Sequence, residues 1–254
     1  MKTRLDQLLV ARGLAQSRAQ AQALILAGRV LVDGLAAPKA GALLPAEVLI
    51  TLKETAPFVS RGGEKLAGAL DHFRVHPAGK VALDAGASTG GFTHCLLSRG
   101  ARRVYAVDVG YGQLDAKLRQ DPRVVVLERV NIRHLPRAAI PEPVDLATLD
   151  LSFISLTLVL PKILDFLRPG GEILALVKPQ FEVGKGQVGK GGVVRDPGLQ
   201  QEAVRRVAAA AGDLGLKVYP AFPAPLKGPK GNHEYFLYVI YQEVSSHPID
   251  KPGD

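Results

Sequence analysis

The chain has 254 residues, a formal charge of +8, 47% hydrophobic and 22% charged residues, and a single cysteine. This composition supports a sizeable core and excludes a disordered chain, a disulfide framework and a multi-cysteine zinc site. No apolar run reaches the roughly 18 residues of a membrane helix, and MKTRLDQLLV lacks the apolar region of a secretory signal, so a cytoplasmic protein is expected.

Residues 1–54 are expected to form a small α+β unit. Leu5, Leu8 and Leu9 recur at helical spacing over residues 4–13, closed by Gly13. Ser17 suits the N-cap of a second helix through residue 27, with Ala19, Ala23 and Leu26 on one stripe and Gly28 ending it. VLVDG then reads as a short strand entering a tight Asp33-Gly34 turn, and residues 48–52 supply another strand. Residues 1–60 carry a net charge of +3, which leaves +5 for the remainder. Residues 55–60, with Pro57, read as a linker. Gly62-Gly63 either opens a helix to about residue 72 or acts as a hinge between domains.

From residue 80 the chain alternates. VALDAG, RVYAVDV, VVVLERV, DLATLDL and EILALVK read as buried strands, with helices at residues 90–98, 113–119, 155–167 and 199–211. KVYPAF and EYFLYVIY add two more strands, and residues 245–254 form a tail without periodicity. The expected architecture over residues 61–244 is a mostly parallel α/β sheet with helices on both faces, which binds ligands at the carboxyl ends of its strands.

The first of these strands ends in Asp84, Gly86, Ser88, Thr89, Gly90, Gly91 and Phe92. Glycines there let backbone approach a ligand, but Ser88 stands where a dinucleotide fingerprint needs its second glycine. An acidic residue opening such a loop is instead the habit of methyltransferases that bind S-adenosylmethionine. Asp108 ends the next strand, where a carboxylate can accept hydrogen bonds from both ribose hydroxyls.

Asp150 and Lys178 close the fourth and fifth strands, Glu234 opens the last, and Lys65 lies on the helix before the first. This set resembles the lysine-aspartate-lysine-glutamate tetrad of FtsJ/RrmJ-type ribose methyltransferases. The front segment, with Arg4-Leu5-Asp6, Ser17-Arg18 and Gly28-Arg29-Val30, resembles the RNA-binding module of ribosomal protein S-four and tyrosyl-tRNA synthetases. Through SRGGEKL, LDAGASTGGFT, DLSFISL, LVKPQFE and GNHEYF the chain is identified as similar to the TlyA family of ribosomal RNA 2′-O-methyltransferases, some of them named haemolysins.

The resemblance implies a Rossmann-like methyltransferase sheet with an antiparallel last strand, S-adenosylmethionine as cofactor, and ribosomal RNA or ribosomal subunits as partner, with a cytidine as the nucleotide methylated. It implies that Arg4, Arg18, Arg29 and Arg61 meet RNA. Asn131 stands where many methyltransferases carry an adenine-contacting Asp, and Asp150 also borders the cofactor.

A ribose hydroxyl is a poor nucleophile whose proton must leave as it attacks. The expected roles are Lys178 taking or polarising that proton, Asp150 and Glu234 positioning Lys178, and Lys65 stabilising charge on oxygen. No metal is expected. The stretch 184–196, with Lys185 and Lys190, fails as a P-loop because Gly191 stands where Ser or Thr is needed. It reads as a mobile basic loop over RNA or as a plain surface loop, and Lys227 and Lys230 repeat the basic theme beside Glu234. Phe153 could stack on a flipped nucleotide or simply pack. Cys95 reads as core, away from any nucleophilic role in base methylation. The rival readings are a non-catalytic RNA-binding protein on the same scaffold and a membrane-active lysin.

Overall fold

The computed structural model describes residues 2–53 and 57–242, and the chain divides into two compact units, Met1–Ala56 and Pro57–Asp254. The expected tail and residues 55–56 of the expected linker lie outside the described residues.

The small unit runs β1 (Lys2–Arg4), α1 (Leu5–Ala11), α2 (Arg18–Leu26), β2 (Val30–Val32), β3 (Leu35–Ala36), β4 (Leu43–Pro45) and β5 (Ile50–Leu52). Ser17 caps α2 by accepting the Gln20 amide at 3.2 Å. Asp33 and Gly34 both have positive φ, the conformation that joins two strands through a two-residue turn matched to their twist. The expected first helix loses its start because Thr3 and Arg4 pair with Leu44 and Leu43 of β4. Leu5, Leu9, Ala21 and Val30 form the core. Within it Asp6 is fully buried, accepting hydrogen bonds from Arg4, Gln22 and Arg18. The Arg4 guanidinium, with Gln22 and Arg18, holds this carboxyl well below the usual range.

The large unit begins with α3 (Arg61–Phe73), β6 (Val81–Ala85), α4 (Gly91–Ser98), β7 (Arg103–Val107), α5 (Ala116–Gln120), β8 (Val124–Leu127) and β9 (Val144–Leu149). It continues through α6 (Leu160–Leu164), β10 (Leu167–Val177), α7 (Pro179–Glu182), α8 (Pro197–Asp213), β11 (Leu216–Val218), β12 (Phe222–Pro223) and β13 (Tyr235–Tyr241). The sheet order is β11-β13-β10-β9-β6-β7-β8, with β12 also on β13. Strands β6 to β10 are parallel, and β13 is antiparallel to β10. The buried run of β6 divides between the two faces as strand periodicity requires. Leu83 packs with Ile163 and Val207 on the side of α6 and α8, while Ala82 packs with Leu66 and Leu96 of α3 and α4. Among the described residues no helix is long and apolar enough to cross a membrane.

Three local expectations are corrected. The helix expected over 155–167 is a 3₁₀ turn, Leu156–Leu158, followed by the short α6. Pro161 lacks an amide proton and its ring crowds the preceding turn, so it is accommodated only in the first turn of a new helix. Gly62-Gly63 is no hinge: both lie inside α3, and a side chain on Gly63 would collide with Phe58. Residues 57–60 belong to the large unit, where the Val59 amide donates to His94 Nδ1 at 3.2 Å.

Candidate active site

The sheet reverses its strand order between β6 and β9, which opens a cleft at their carboxyl ends. Two chambers of about 470 and 1120 Å³ meet there, sharing Gly86, Ser88, Asp150, Ser152 and Gln180. The smaller is lined by Arg61, Lys65, Thr89, Lys178 and Glu234, and the larger by Asp108 and Asn131.

The glycine loop is built for close approach. Gly86 has φ +88°, and a Cβ there would lie 2.6 Å from the Asp150 carbonyl oxygen. Ser88 is also left-handed, and its amide donates to Asp108 Oδ2 at 2.8 Å. The Gly110 amide donates to Asp108 Oδ1 at 2.7 Å. Both oxygens of Asp108 are thus fixed at the end of β7, each with lone pairs left to accept from a ligand. Gly91 and Phe92 of α4 border the smaller chamber, whereas Gly90 packs on Leu114 and Leu118.

Asp84 does not reach the cleft, contrary to the cofactor role expected for it. It is fully buried, accepting from Thr93 Oγ1 at 2.7 Å and from Thr148 Oγ1 at 3.2 Å. Burial pushes its carboxyl up to about 7; the Thr93 hydroxyl opposes the shift and the negative Asp150 adds to it. A group so enclosed positions the loop and touches no ligand.

The tetrad assembles as two pairs. Lys65 Nζ lies 2.6 Å from Glu234 Oε2, both side chains buried. Lys178 Nζ lies 2.7 Å from Asp150 Oδ1, but its hydrogen bond goes to Ser152 Oγ at 3.0 Å. Lys178 is thus held by the Asp150 carboxylate in an ion pair and by the Ser152 hydroxyl. Glu234 was expected to position Lys178; it binds Lys65 instead. Strand polarity explains its place. Tyr235 pairs with Val177, so the start of antiparallel β13 lies beside the carboxyl end of β10. Gly228 is required beneath it, because a Cβ there would overlap the Glu234 carboxylate.

Of the expected RNA contacts in the large unit, Arg61 lines the smaller chamber. Lys190 and Lys227 are exposed but line neither chamber, whereas Lys230, read with Lys227 as part of the same basic theme, lines the smaller one. The Lys185 side chain lies outside what the structure describes. In the small unit Arg4 and Arg18 pair with Asp6, and Arg29 donates to the Lys53 carbonyl at 2.8 Å, so each is partly engaged within its own unit. Cys95 is buried, and burial pushes its thiol up to about 12.

Two residues with structural consequences for the site escaped the sequence reading. Glu182 is buried and accepts from Ser155 Oγ at 2.6 Å and the Leu156 amide at 2.9 Å, tying α7 to the loop that follows Asp150. Burial raises its pKa against the pull of those donors. Asn232 accepts from the Val194 amide and donates to the Gly192 carbonyl, both at 2.9 Å, joining two glycine-rich loops at the rim. Both lie within the segments LVKPQFE and GNHEYF, where a polar residue in an otherwise tightly packed stretch is the available signal.

The strand order, the glycine loop and the carboxylate ending β7 define a Rossmann-like methyltransferase of the nucleoside-binding kind. Comparison agrees: the FtsJ-like methyltransferase profile matches residues 58–241, and an S4 domain matches residues 3–42. The 16S/23S rRNA (cytidine-2′-O)-methyltransferase TlyA of Mycobacterium tuberculosis is 54% identical over 244 residues, 95% of this chain and 91% of that protein. Hemolysin A of Brachyspira hyodysenteriae is 39% identical over 238 residues, 93% of this chain and 99% of that one. A solved structure from Streptococcus thermophilus that carries a hemolysin name superposes with a TM-score of 0.73 at 39% identity, covering 95% of this chain and 89% of that one. The chain belongs to the TlyA family of FtsJ-like methyltransferases.

Proposed function

We propose that this chain transfers a methyl group from S-adenosylmethionine to the ribose 2′-hydroxyl of a cytidine in ribosomal RNA, acting on ribosomal subunits in the cytoplasm. The observation that carries the reading is the meeting of two lysine–carboxylate pairs, Lys65–Glu234 and Lys178–Asp150, beside the glycine loop. The relative from Mycobacterium tuberculosis bears the name of that reaction.

The residues present fit the cofactor. Asp108 offers fixed carboxylate oxygens to vicinal hydroxyls, Asn131 lines the same chamber, and the cradle at Gly86 is space that a Cβ would fill. S-adenosylmethionine, when bound, supplies an electrophilic methyl carbon on a sulfonium.

The chain's own work is on the acceptor oxygen. Lys178, held by Asp150 and Ser152, orients the 2′-hydroxyl in line with the methyl carbon. As the hydroxyl oxygen attacks, its proton passes to the Lys178–Asp150 pair; S-adenosylmethionine, when bound, would supply the methyl group and leave as the neutral thioether. Asp150 Oδ1 is the oxygen that faces Lys178 Nζ within that pair, at 2.7 Å. Lys65, fixed by Glu234, faces negative charge as it develops on the ribose oxygen. Phe153 is 91% exposed, with its ring centroid 5.0 Å from that of Phe181, and gives the rim an aromatic surface for an unstacked base.

Methylation of isolated ribosomal subunits with labelled S-adenosylmethionine, followed by mapping of the modified nucleotide, tests the reading. Label on a cytidine ribose is the expected result. Label confined to bases, or none, overturns it.

A further inference from the structure

The small unit buries one charge that the mechanism above does not use. Asp6 is wholly enclosed in the first turn of α1, and its carboxylate collects four hydrogen bonds. Arg4 donates side-on, Nε to Oδ1 at 3.0 Å and Nη2 to Oδ2 at 2.9 Å. Gln22 Nε2 donates to Oδ2 at 2.9 Å, and Arg18 Nη2 reaches the same oxygen at 3.4 Å.

The fold alone asks for less. A bidentate arginine and one amide satisfy a buried carboxylate, and Arg4 and Gln22 already provide them. Arg18 is a second cation on a single negative charge. It is also the first residue of α2, where the helix dipole disfavours positive charge. Stability does not account for a cation in that position.

The arrangement leaves its donors facing outward. Side-on pairing occupies one edge of the Arg4 guanidinium, and Nη1 on the opposite edge has no acceptor among the described residues. Gly41 leaves room for it, since a Cβ there would lie 3.4 Å from Nη1. The Arg4 side chain is 40% exposed and that of Arg18 55%, so both reach solvent while their inner nitrogens hold one oxygen. Two guanidiniums on one carboxylate keep a surplus of one positive charge. A phosphodiester matches that charge and offers an unesterified oxygen to each fork.

We infer that Asp6 is the positioning residue of an RNA-phosphate clamp: its buried carboxylate holds Arg4 and Arg18 side by side, and together they take one phosphodiester of the RNA. The inference rests on the reading of ribosomal RNA as the partner. Being wholly enclosed, Asp6 touches no phosphate and acts only through the two arginines. Loose arginines would attract the RNA backbone from any side, whereas fixed ones set its position and lose less freedom on binding.

The test measures the affinity of the full chain for isolated ribosomal subunits at fixed salt. Asp6→Asn separates two opposite signs. It removes a negative charge from the unit, so attraction by charge alone would tighten binding. The clamp requires the reverse, a loss of about tenfold as the arginines come adrift. Arg4→Lys combined with Arg18→Lys keeps every charge and removes both forks, with an expected loss of about tenfold or more. In that double-lysine background Asp6→Asn should bring no further loss. A merely structural Asp6 would lower affinity by the same factor in both backgrounds.

Three results would overturn the inference. These are an Asp6→Asn chain that binds as tightly as wild type or tighter, a double-lysine chain with unchanged affinity, or equal losses from Asp6→Asn in the two backgrounds. The lysine variants keep a cation for Asp6 and alter only solvent-reaching side chains, so they decide the matter should Asp6→Asn fail to fold. A wild type that binds subunits but labels no ribose refutes the functional reading and leaves the clamp standing. A wild type that binds no subunit refutes both.

Discussion

Replacing Asp84 by Asn tests the claim that this carboxyl is a buried brace and no cofactor ligand. Burial lifts its pKa from 3.8 to about 7. An acid whose folded pKa lies above its unfolded one binds more protons in the folded state between those values. Stability therefore falls as pH rises from about 4 to 7 and stays at the lower level above. The shift of about three units, at roughly 1.4 kcal/mol each, corresponds to about 4 kcal/mol withheld at pH 8. Asn removes the charge and keeps the shape. Its oxygen can accept from Thr93, and its amide can donate to Thr148, whose own hydroxyl then turns to the Leu83 carbonyl 3.4 Å away. Asp84→Asn is expected to gain on wild type with rising pH, by about 3 kcal/mol between pH 5 and 8. Urea unfolding at several pH values measures it. All six tyrosines lie in the large unit and the chain has no tryptophan, so intrinsic fluorescence follows that unit. Parallel pH profiles for the two proteins, or a variant less stable than wild type at pH 8, would refute the reasoning. S-adenosylhomocysteine affinity should be unchanged, since Asp84 lines neither chamber.

Lys178→Ala is expected to lower single-turnover methyl transfer by about a hundredfold or more while RNA and S-adenosylhomocysteine binding persist; near-normal turnover would remove Lys178 from the mechanism. Gly86→Ala places a Cβ against the Asp150 carbonyl at positive φ, with an expected loss of about 2 kcal/mol in unfolding free energy. Calorimetry should also find weaker S-adenosylhomocysteine binding in this variant. In the small unit, Asp6 has a depressed pKa, so it stabilises above the unfolded carboxylate value near 3.8 and ceases to as pH falls below it. Asp6→Asn should cut amide protection of Leu8 and Leu9 at pH 7, and hydrogen exchange should find wild type approaching the variant in acid.

The parts of the fold carried by local pattern were legible. VALDAG and EILALVK are apolar runs too short for helices and bounded by breakers, and each became a central strand. Short pairings were not legible, because β1 and β4 hold three residues each and exist through one another across the chain. Pro161 was visible, yet the apolar spacing around it overrode the backbone rule it imposes. At the site, residue types were readable from strand ends, but their pairing was not. Glu234 starts beside the end of β10, which carries Lys178, yet it pairs with Lys65, because that choice depends on how α3 packs over the cleft, a tertiary fact. Lys227 and Lys230 look alike in a glycine- and proline-rich loop, and only backbone geometry selects the one that faces the cleft.

The Lys65–Glu234 pair joins residues 169 positions apart, one on the first helix of the large unit and the other at the threshold of its last strand. This sets the order in which the site can mature during synthesis. A growing chain can lay down the glycine loop and the parallel strands early, but its helix lysine waits for a counter-charge until nearly the whole unit has been made. A chain stopped short of residue 234 would have to bury an ammonium alone, which is costly enough to keep that helix from docking. The pairing of Lys65 with its counter-charge therefore waits on the synthesis of the last strand.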